Sequence, residues 1–246
     1  MKLFGKNPVL ERIKVDPGSI KKLCLRQKTE LSEIVRAAKE AGIKFESIPV
    51  ESFSRLSGDA NTQGVVAEVS DYEYMPFQEM LSKSLQKGLT PVFVDGVSDP
   101  QNLGSIIRNI ACLGGFSLII PEHESACVNE TVLRVACGGE NYLPVSRVVN
   151  TVRGITEAQK KGFHVVGAVT ETGKDIRSAE LRSPIAIVIG SEGKGIRPGI
   201  LKKLDEGLSL PMDGAKLSYN VAVATTLFCY EIKRKISFQK QEKKNG

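Results

Sequence analysis

Five side chains that can act on a polar substrate stand in three short stretches of the chain. They are Asn102 and Arg108 in Asp95–Arg108 (DGVSDPQNLGSIIR), Glu192 in Gly190–Ile196 (GSEGKGI), and Ser218 and Asn220 in Leu210–Ala224 (LPMDGAKLSYNVAVA). A guanidinium stabilises negative charge that develops on an oxygen. Amide, carboxylate and hydroxyl groups orient a substrate through hydrogen bonds. Brought together, these groups predict polar chemistry at a substrate oxygen.

Each stretch also has a purely structural interpretation. Asn102 can cap a helix or orient a substrate, and Arg108 can be a surface arginine of that helix. The glycines of Gly190–Ile196 can form a plain tight turn. Ser218 can simply cap the helix that follows it. The residues alone leave these alternatives open.

The elements around the three stretches favour one shared site. Apolar runs that predict strands precede them at 92–95, 185–190 and 207–210, and helices are predicted after the first and the third. The run Ile185–Ile189 has no polar residue, which is typical of a parallel strand covered on both faces. In an open α/β sheet the loops at the carboxyl ends of the strands converge on one cleft. Because Arg108 lies on the same helix, six residues past Asn102, both residues could serve that cleft.

The alternation of strands and helices predicts an α/β fold in two parts. We expect a small α/β domain at 1–75, a linker at 76–90, a larger α/β domain at 91–238 and a basic tail at 239–246 that frays into solvent or grips RNA. The predicted elements of the first part are strands at 22–25, 45–50 and 64–69, helices at 30–41 and 52–56, a cap at Thr29 and a turn at Gly58-Asp59. Those of the second part are strands at 92–95, 117–120, 163–169, 185–190 and 207–210, and helices at 103–113, 129–137, 150–161 and 217–235.

Composition narrows the class of function. The 246 residues carry a formal net charge of +6 and a sequence pI near 9.0, which favours a polyanionic partner such as nucleic acid.

The five cysteines form no CxxC pair, so we expect reduced thiols and a cytoplasmic location. Neither histidine stands at metal-ligand spacing, so we expect no metal site. No stretch is apolar enough to cross a membrane. The glycine spacing of Gly190–Gly195, GxxGxG, matches neither the dinucleotide-binding fingerprint nor the phosphate-binding loop. The chain therefore lacks these signatures of a dinucleotide-dependent oxidoreductase and of an NTPase.

Together the three stretches resemble the SpoU (TrmH-like) branch of the SPOUT methyltransferases. The motifs appear as DPQNLGSIIR, IVIGSEGKGI and LSLPMDGAKLSYNVAVA, in the family's order, across residues 91 to about 236. The N-terminal stretches Gly5–Val9 with Glu11, and Gln63–Ala67, are similar to the substrate-binding domain of ribosomal-RNA members. The chain departs from the usual pattern at three positions, where it has Thr62, Tyr219 and Ala222.

The resemblance implies much that the residues alone do not. It implies a deep trefoil knot in the C-terminal domain, S-adenosyl-L-methionine as cofactor, and a homodimer whose partner helps to complete the site. It implies that backbone around Gly190, Leu210 and Tyr219 binds the cofactor. It assigns the catalytic group to Asn102, Arg108, Glu192, Ser218 and Asn220.

The expected reaction is methylation of a ribose 2′-hydroxyl, most similar to that of bacterial 23S rRNA (guanosine-2′-O-)-methyltransferases. The alternatives are a transfer-RNA methyltransferase of the same branch and a non-catalytic RNA-binding or assembly protein. Arg108 is expected to stabilise the charge on the attacking oxygen, because a guanidinium is almost never deprotonated in proteins. The basic residues of the first domain are either RNA phosphate contacts or a solvated face: Lys6, Arg12, Lys22, Arg26 and Lys28.

Overall fold

The computed structural model describes the backbone of residues 1–57, 61–170, 172–214 and 217–245, and the side chains of these residues except 57 and 238–245. The described residues form two sheets flanked by helices, so the prediction of an α/β fold in two parts is confirmed. The turn predicted at Gly58-Asp59 lies outside the described residues. The trefoil knot stays a prediction. No helix among the described residues is long and apolar enough to cross a membrane.

The N-terminal sheet has four strands in the order β1-β4-β2-β3. Its elements are β1 (Lys2–Phe4), α1 (Lys6–Val15), β2 (Ile20–Arg26), α2 (Ser32–Glu40), β3 (Phe45–Ile48), α3 (Val50–Ser57) and β4 (Val65–Val69). The cap predicted at Thr29 is wrong, because α2 begins three residues later. The Thr29 hydroxyl instead accepts a hydrogen bond from Arg26 Nε at 2.9 Å.

The segment that we predict as a linker contains helix α4 (Phe77–Lys87). Met80 and Leu81 of this helix are fully buried, and the Ser84 hydroxyl lies 3.0 Å from that of Ser117 on a neighbouring strand. The segment therefore packs as part of the layer that covers the C-terminal sheet.

The C-terminal sheet has seven strands, all parallel, in the order β7-β6-β5-β10-β8-β11-β9. Its elements are β5 (Thr90–Asp95), α5 (Pro100–Leu113), β6 (Phe116–Pro121), α6 (Glu130–Ala136), β7 (Val145–Val148), α7 (Thr151–Lys160), β8 (His164–Ala168), β9 (Lys174–Asp175), β10 (Ile185–Gly190), α8 (Pro198–Leu201), β11 (Glu206–Ser209) and α9 (Val221–Asn245). Strands β7 and β9 and helix α8 are short and were not predicted.

The chain changes direction across the sheet at β5. Strand β6 lies on one side of β5, whereas β10 lies on the other, with Gly190 beside Asp95 in register. Such a reversal opens a crevice beyond the carboxyl ends of the two strands, where open α/β sheets bind their ligands. Two of the stretches that carry the candidate site residues, Asp95–Arg108 and Gly190–Ile196, begin at the last residues of these two strands.

The last helix differs from its prediction at both ends. Helix α9 begins at Val221 rather than at 217, and its backbone stays helical to Asn245, so the predicted fraying of the basic tail is wrong. Val221, Phe228 and Ile232 are buried, whereas Leu227 is 38% exposed. The helix thus buries one face and presents apolar residues on another.

A buried ion pair joins the two parts of the chain. Arg12 Nη2 of α1 donates to Glu140 Oε1 at 3.1 Å, and Glu140 stands in a short 3₁₀ turn after α6. The Glu140 side chain is fully buried and that of Arg12 is 8% exposed. The expectation that Arg12 contacts RNA phosphates is therefore wrong, because its guanidinium is enclosed between the two parts.

Candidate active site

Three polar side chains from the three chemical stretches meet at the carboxyl end of the sheet. Asn102 Nδ2 donates to Glu192 Oε1 at 2.7 Å, and Asn220 Nδ2 donates to the same oxygen at 2.7 Å and to Asn102 Oδ1 at 3.0 Å. These residues are separated by 90 and 28 positions in sequence. One carboxylate oxygen thus holds two amide groups in a fixed orientation.

Asn220 also begins the last helix. Its Oδ1 accepts from the backbone N–H of Ala222 at 2.9 Å and of Val223 at 3.4 Å, which is the geometry of an N-cap. The cap predicted at Ser218 is therefore wrong, because the helix begins two residues later than that cap requires. Ser218 is exposed in the loop beside this cap. The Asn220 amide is positioned by the helix and by Glu192 together.

Of the two alternatives left open for Asn102, the helix cap is absent. Asp99 caps α5, since its carboxylate accepts from the Gln101 N–H at 2.9 Å, and Pro100 follows as the first helical residue. The Asn102 side chain is thereby free to point at Glu192. Gly104, two residues on, packs against α6, where an added Cβ would lie 2.7 Å from Val135 Cβ.

The glycines at the end of β10 and after it shape the loop Gly190–Ile196. Ser191 and Gly195 exchange backbone hydrogen bonds of 3.2 and 2.9 Å, and Gly195 has φ of +63°. An added Cβ on Gly190 would lie 2.1 Å from the Gly195 carbonyl carbon, so only glycine fits there. This closed turn carries Glu192 at its outer edge.

The three residues expected to bind a cofactor stand at the ends of elements of the C-terminal domain, and none of them is among the residues that line the cavity described below. Gly190 ends β10, Leu210 follows β11 and is partly buried, and Tyr219 precedes α9 and is 43% exposed. Each segment ends a parallel strand or begins a helix, where backbone N–H and C=O groups are available to a ligand.

Arg108 lies away from the polar cluster of its own chain. Six residues of α-helix turn the side chain by about 120° relative to Asn102, so the two side chains leave α5 on different faces. Arg108 is exposed, and its Nη1 donates to the Cys137 sulfur at 3.6 Å. The expectation that one chain brings both residues into one cleft is therefore wrong.

The polar cluster borders a cavity of about 660 Å³. Small ligands are usually held in cavities of roughly 300–1,000 Å³. The lining combines apolar surface with both signs of charge; it includes Val97, Val221, Gly96, Ser98, Asp99, Asn102, Glu124, Ser125, Ser191, Glu192, Lys194 and Arg197. Arg108 is not among the lining residues, all of which belong to the described part of the chain. Within that part, no group of three or more His, Cys, Asp and Glu side chains is placed to hold a metal ion.

Two residues of this cavity were not predicted from the sequence. The Asp95 carboxylate has no exposed surface, and it accepts three hydrogen bonds from Arg197. The hydrogen bond with Asp95 is the main cause that raises the pKa of Arg197 above its ordinary value. An aspartate that ends an apolar strand is the only sequence signal for this pair, and it does not identify the partner.

Comparison with known proteins agrees with the two-part architecture. The model of the SpoU rRNA methylase family matches residues 90–230. The model for RNA 2′-O ribose methyltransferase substrate binding matches residues 2–75.

Similar proteins span nearly the whole chain. A protein of Bacillus subtilis (strain 168), named as a TrmH family tRNA/rRNA methyltransferase, is 34% identical over 238 residues, which cover 95% of both chains. The solved structure of AviRb, a SpoU methyltransferase of Streptomyces viridochromogenes in complex with AdoMet, has a TM-score of 0.79 at 22% identity and covers 96% of this chain and 90% of AviRb. An AdoMet-bound rRNA methyltransferase of Sinorhizobium meliloti has a TM-score of 0.77 at 24% identity, with 95% and 86% covered. The two structures share the fold of this chain.

Proposed function

Because the chain belongs to the SpoU rRNA methylase family, we propose that it methylates a ribose 2′-hydroxyl of RNA, with a guanosine of large-subunit ribosomal RNA as the target. It is an RNA methyltransferase that uses S-adenosylmethionine. The observation that carries the proposal is the hydrogen-bonded cluster of Asn102, Glu192 and Asn220. It unites all three motifs beside one cavity.

The residues at the sheet end suit this cofactor. Gly190, Leu210 and Tyr219 would hold it through their backbone groups. Glu192 offers a carboxylate to a sulfonium, and Lys194 offers a cation to an amino-acid carboxylate. When bound, the cofactor supplies a methyl group on a positively charged sulfur that is a good leaving group.

The chain's own side chains would position the ribose and stabilise its oxygen. Glu192 holds the amide groups of Asn102 and Asn220, and Asn102 lines the cavity, where its amide would orient a ribose hydroxyl. Arg108 would face the attacking oxygen, where its permanent positive charge stabilises the charge that develops as the proton leaves. The proton would pass to water or to a phosphate. Ser218 would fix the loop beside the nucleotide.

Since Arg108 does not line the cavity of its own chain, we propose that it serves the cavity of a second copy. A homodimer whose interface includes α9 and the exposed residues 217–220 before it would bring Arg108 of one copy to the cavity of the other. The exposed apolar residues of this face are Leu217, Tyr219, Val223, Leu227 and Tyr230. Val223, Leu227 and Tyr230 stand at helical spacing on one side of α9, and Tyr219 adjoins the polar cluster. Burying this face removes apolar surface from water and completes the site at the same time.

The N-terminal domain, which matches a substrate-binding model across residues 2–75, favours ribosomal RNA because the family resemblance implies that many transfer-RNA members lack such a domain. The test is incubation with radiolabelled S-adenosylmethionine and separate ribosomal and transfer RNAs, followed by mapping of the labelled nucleotide. We expect label at one guanosine of large-subunit RNA. Label in transfer RNA alone would support the alternative target, and no label in either RNA, with no heat of S-adenosylmethionine binding, would support a non-catalytic RNA-binding protein. A cytoplasmic location stays a prediction.

Replacement of Asn102 should slow the reaction moderately. Asn102→Ala removes one of the two amides held by Glu192 but leaves the Asp99 cap of α5 intact. We therefore expect kcat to fall about tenfold with little change in thermal stability. Steady-state kinetics and a melting curve measure the two effects, and Gln101→Ala, one residue away and exposed, serves as the matched control. Unchanged kinetics would remove Asn102 from the mechanism.

RNA affinity should depend strongly on salt. Lys28 is exposed at the turn after β2, and Lys22 of β2 pairs with the exposed Glu46 at 3.1 Å. If these charges contact phosphates, affinity should fall by at least about tenfold between roughly 50 and 200 mM salt. Lys28→Gln should reduce the salt slope by about one, whereas Lys160→Gln on α7 should leave it unchanged. Fluorescence anisotropy with labelled RNA measures both slopes, and a flat salt response would show that this face is merely solvated.

A further inference from the structure

We propose that Arg197 is a positioning residue that fixes the shape of the active-site crevice by tying together three neighbouring strands at their carboxyl ends. The inference rests on the proposed function for its catalytic consequence. Its structural part stands independently of that function.

The contacts of Arg197 reach all three strands. Nε and the backbone N–H of Arg197 donate to Asp95 Oδ2 at 3.1 and 3.2 Å, and Nη2 donates to Asp95 Oδ1 at 2.5 Å. Nη1 donates to Glu124 Oε2 at 3.0 Å. Asp95 ends β5, Glu124 follows β6, and Arg197 closes the turn after β10. The sheet order places these strands side by side, so one guanidinium spans the mouth of the crevice.

The pairing with Asp95 is stronger than an ordinary surface ion pair. The Asp95 side chain is fully buried, whereas that of Arg197 is 48% exposed. A buried carboxylate that accepts three hydrogen bonds needs this partner, because an unpaired buried charge is costly. The fork geometry engages both carboxylate oxygens, which a lysine ammonium does not reproduce.

The pairing with Glu124 adds a side-chain contact to a loop with an unusual backbone conformation, whose neighbouring residues Glu122, Ser125 and Ala126 also make hydrogen bonds with the backbone of Val148 and Val97. Glu124 has φ of +56°, in the left-handed region that non-glycine residues rarely adopt. Its side chain is 78% exposed, so Arg197 is its main constraint among the contacts that the structure describes. Both Glu124 and Arg197 line the cavity with Asn102 and Glu192. Loss of Arg197 should therefore loosen the turn that carries Glu192 and the loop after β6.

Hydrogen exchange tests the structural part directly. In Arg197→Met, amide exchange across 191–196 and 122–126 should rise at least about tenfold, and by a larger factor than exchange in the central strands. Glu124→Gln should raise exchange only across 122–126. Arg153→Met, which breaks an exposed pair with Glu157 on α7, is the matched control and should change neither segment.

Kinetics on the full-length protein test the catalytic part. Arg197→Met should lower kcat about tenfold or more, and Arg197→Lys should recover little of it because the fork is lost. If Arg197→Met does not fold, Arg197→Lys and Glu124→Gln carry the test. Exchange at the wild-type rate in the variants would overturn the proposal. Faster exchange with an unchanged kcat would overturn only the catalytic part of the proposal. If the wild-type protein showed no methyl transfer, the proposed function would be overturned, and the exchange result would still decide the structural role of Arg197.

Discussion

Arg108→Ala should lower the rate of methyl transfer by at least about a hundredfold while S-adenosylmethionine still binds. Removing one preorganised donor from a developing oxyanion usually lowers kcat by a factor of roughly 10²–10³. A permanent cation should contribute at least about as much as a neutral donor. Arg108 does not line the cavity of its own chain, so its loss should not disturb a ligand there. Single-turnover rates and calorimetric titration with S-adenosylmethionine separate the two effects.

A matched arginine provides the control for Arg108. Arg134 is exposed on α6, one turn before Cys137, the residue whose sulfur accepts from Arg108. Arg134→Ala should leave the rate near that of the wild type. An Arg108→Ala protein that keeps its turnover would exclude this guanidinium from the chemistry.

The shared site can be tested by mixing two inactive variants. In a dimer of Arg108→Ala with Glu192→Ala, the first chain offers an intact polar cluster and the second an intact Arg108. If the two act across the dimer, mixing should restore activity to at most one site per mixed dimer. If they act within one chain, every site in the mixture lacks a group and activity stays at the level of the single variants.

Arg12→Met should destabilise the folded protein by roughly 3–5 kcal/mol, because it leaves the Glu140 carboxylate buried without its partner. Glu140 has no exposed side-chain surface and its one side-chain partner among the described residues is Arg12. Thermal and urea unfolding measure the loss. Arg36→Met, which breaks an exposed pair of α2 with Glu40 at 4.0 Å, should cost less than about 1 kcal/mol.

The pH dependence identifies the buried carboxylate as the cause. Burial raises the pKa of Glu140 above its ordinary value of 4.5, and loss of Arg12 should raise it further. A raised pKa means that the folded state holds the Glu140 proton more tightly, so the stabilising contribution of this group to the variant is fully present below pH 4.5 and is lost as the pH rises through the folded-state pKa. The double variant Arg12→Met/Glu140→Leu should recover most of the loss. A penalty that is independent of pH, or that persists in the double variant, would contradict this assignment.

The fold was largely predictable because its central strands are uniformly apolar. Ile185–Ile189 forms a parallel strand with buried neighbours on both sides, as the absence of polar residues indicates. Strand β7 was missed since it is four residues long, lies at the sheet edge and includes Arg147. The start of α9 was misplaced because Ser218 and Asn220 are both good caps, and only the packing of Val221 decides between them.

The candidate site was predictable only in part. The loops after parallel strands meet by topology, and this rule brought Asn102, Glu192 and Asn220 together. The helical period places Arg108 on a different face of α5 from Asn102. This follows from the six-residue separation and could have been predicted from the sequence. Arg197 escaped prediction because its partner Asp95 lies 102 positions away, and no local pattern links two residues at that separation.

The most direct test of the account replaces the reacting hydroxyl itself. Once the modified nucleotide is mapped, an RNA that carries a 2′-deoxynucleotide at that one position is incubated with labelled S-adenosylmethionine and the wild-type protein. The account predicts that the deoxy RNA binds with unchanged affinity and takes up no label, whereas the unmodified RNA yields a 2′-O-methylated nucleoside after digestion. Label in the deoxy RNA, or a methyl group on the base of the unmodified RNA, would contradict it.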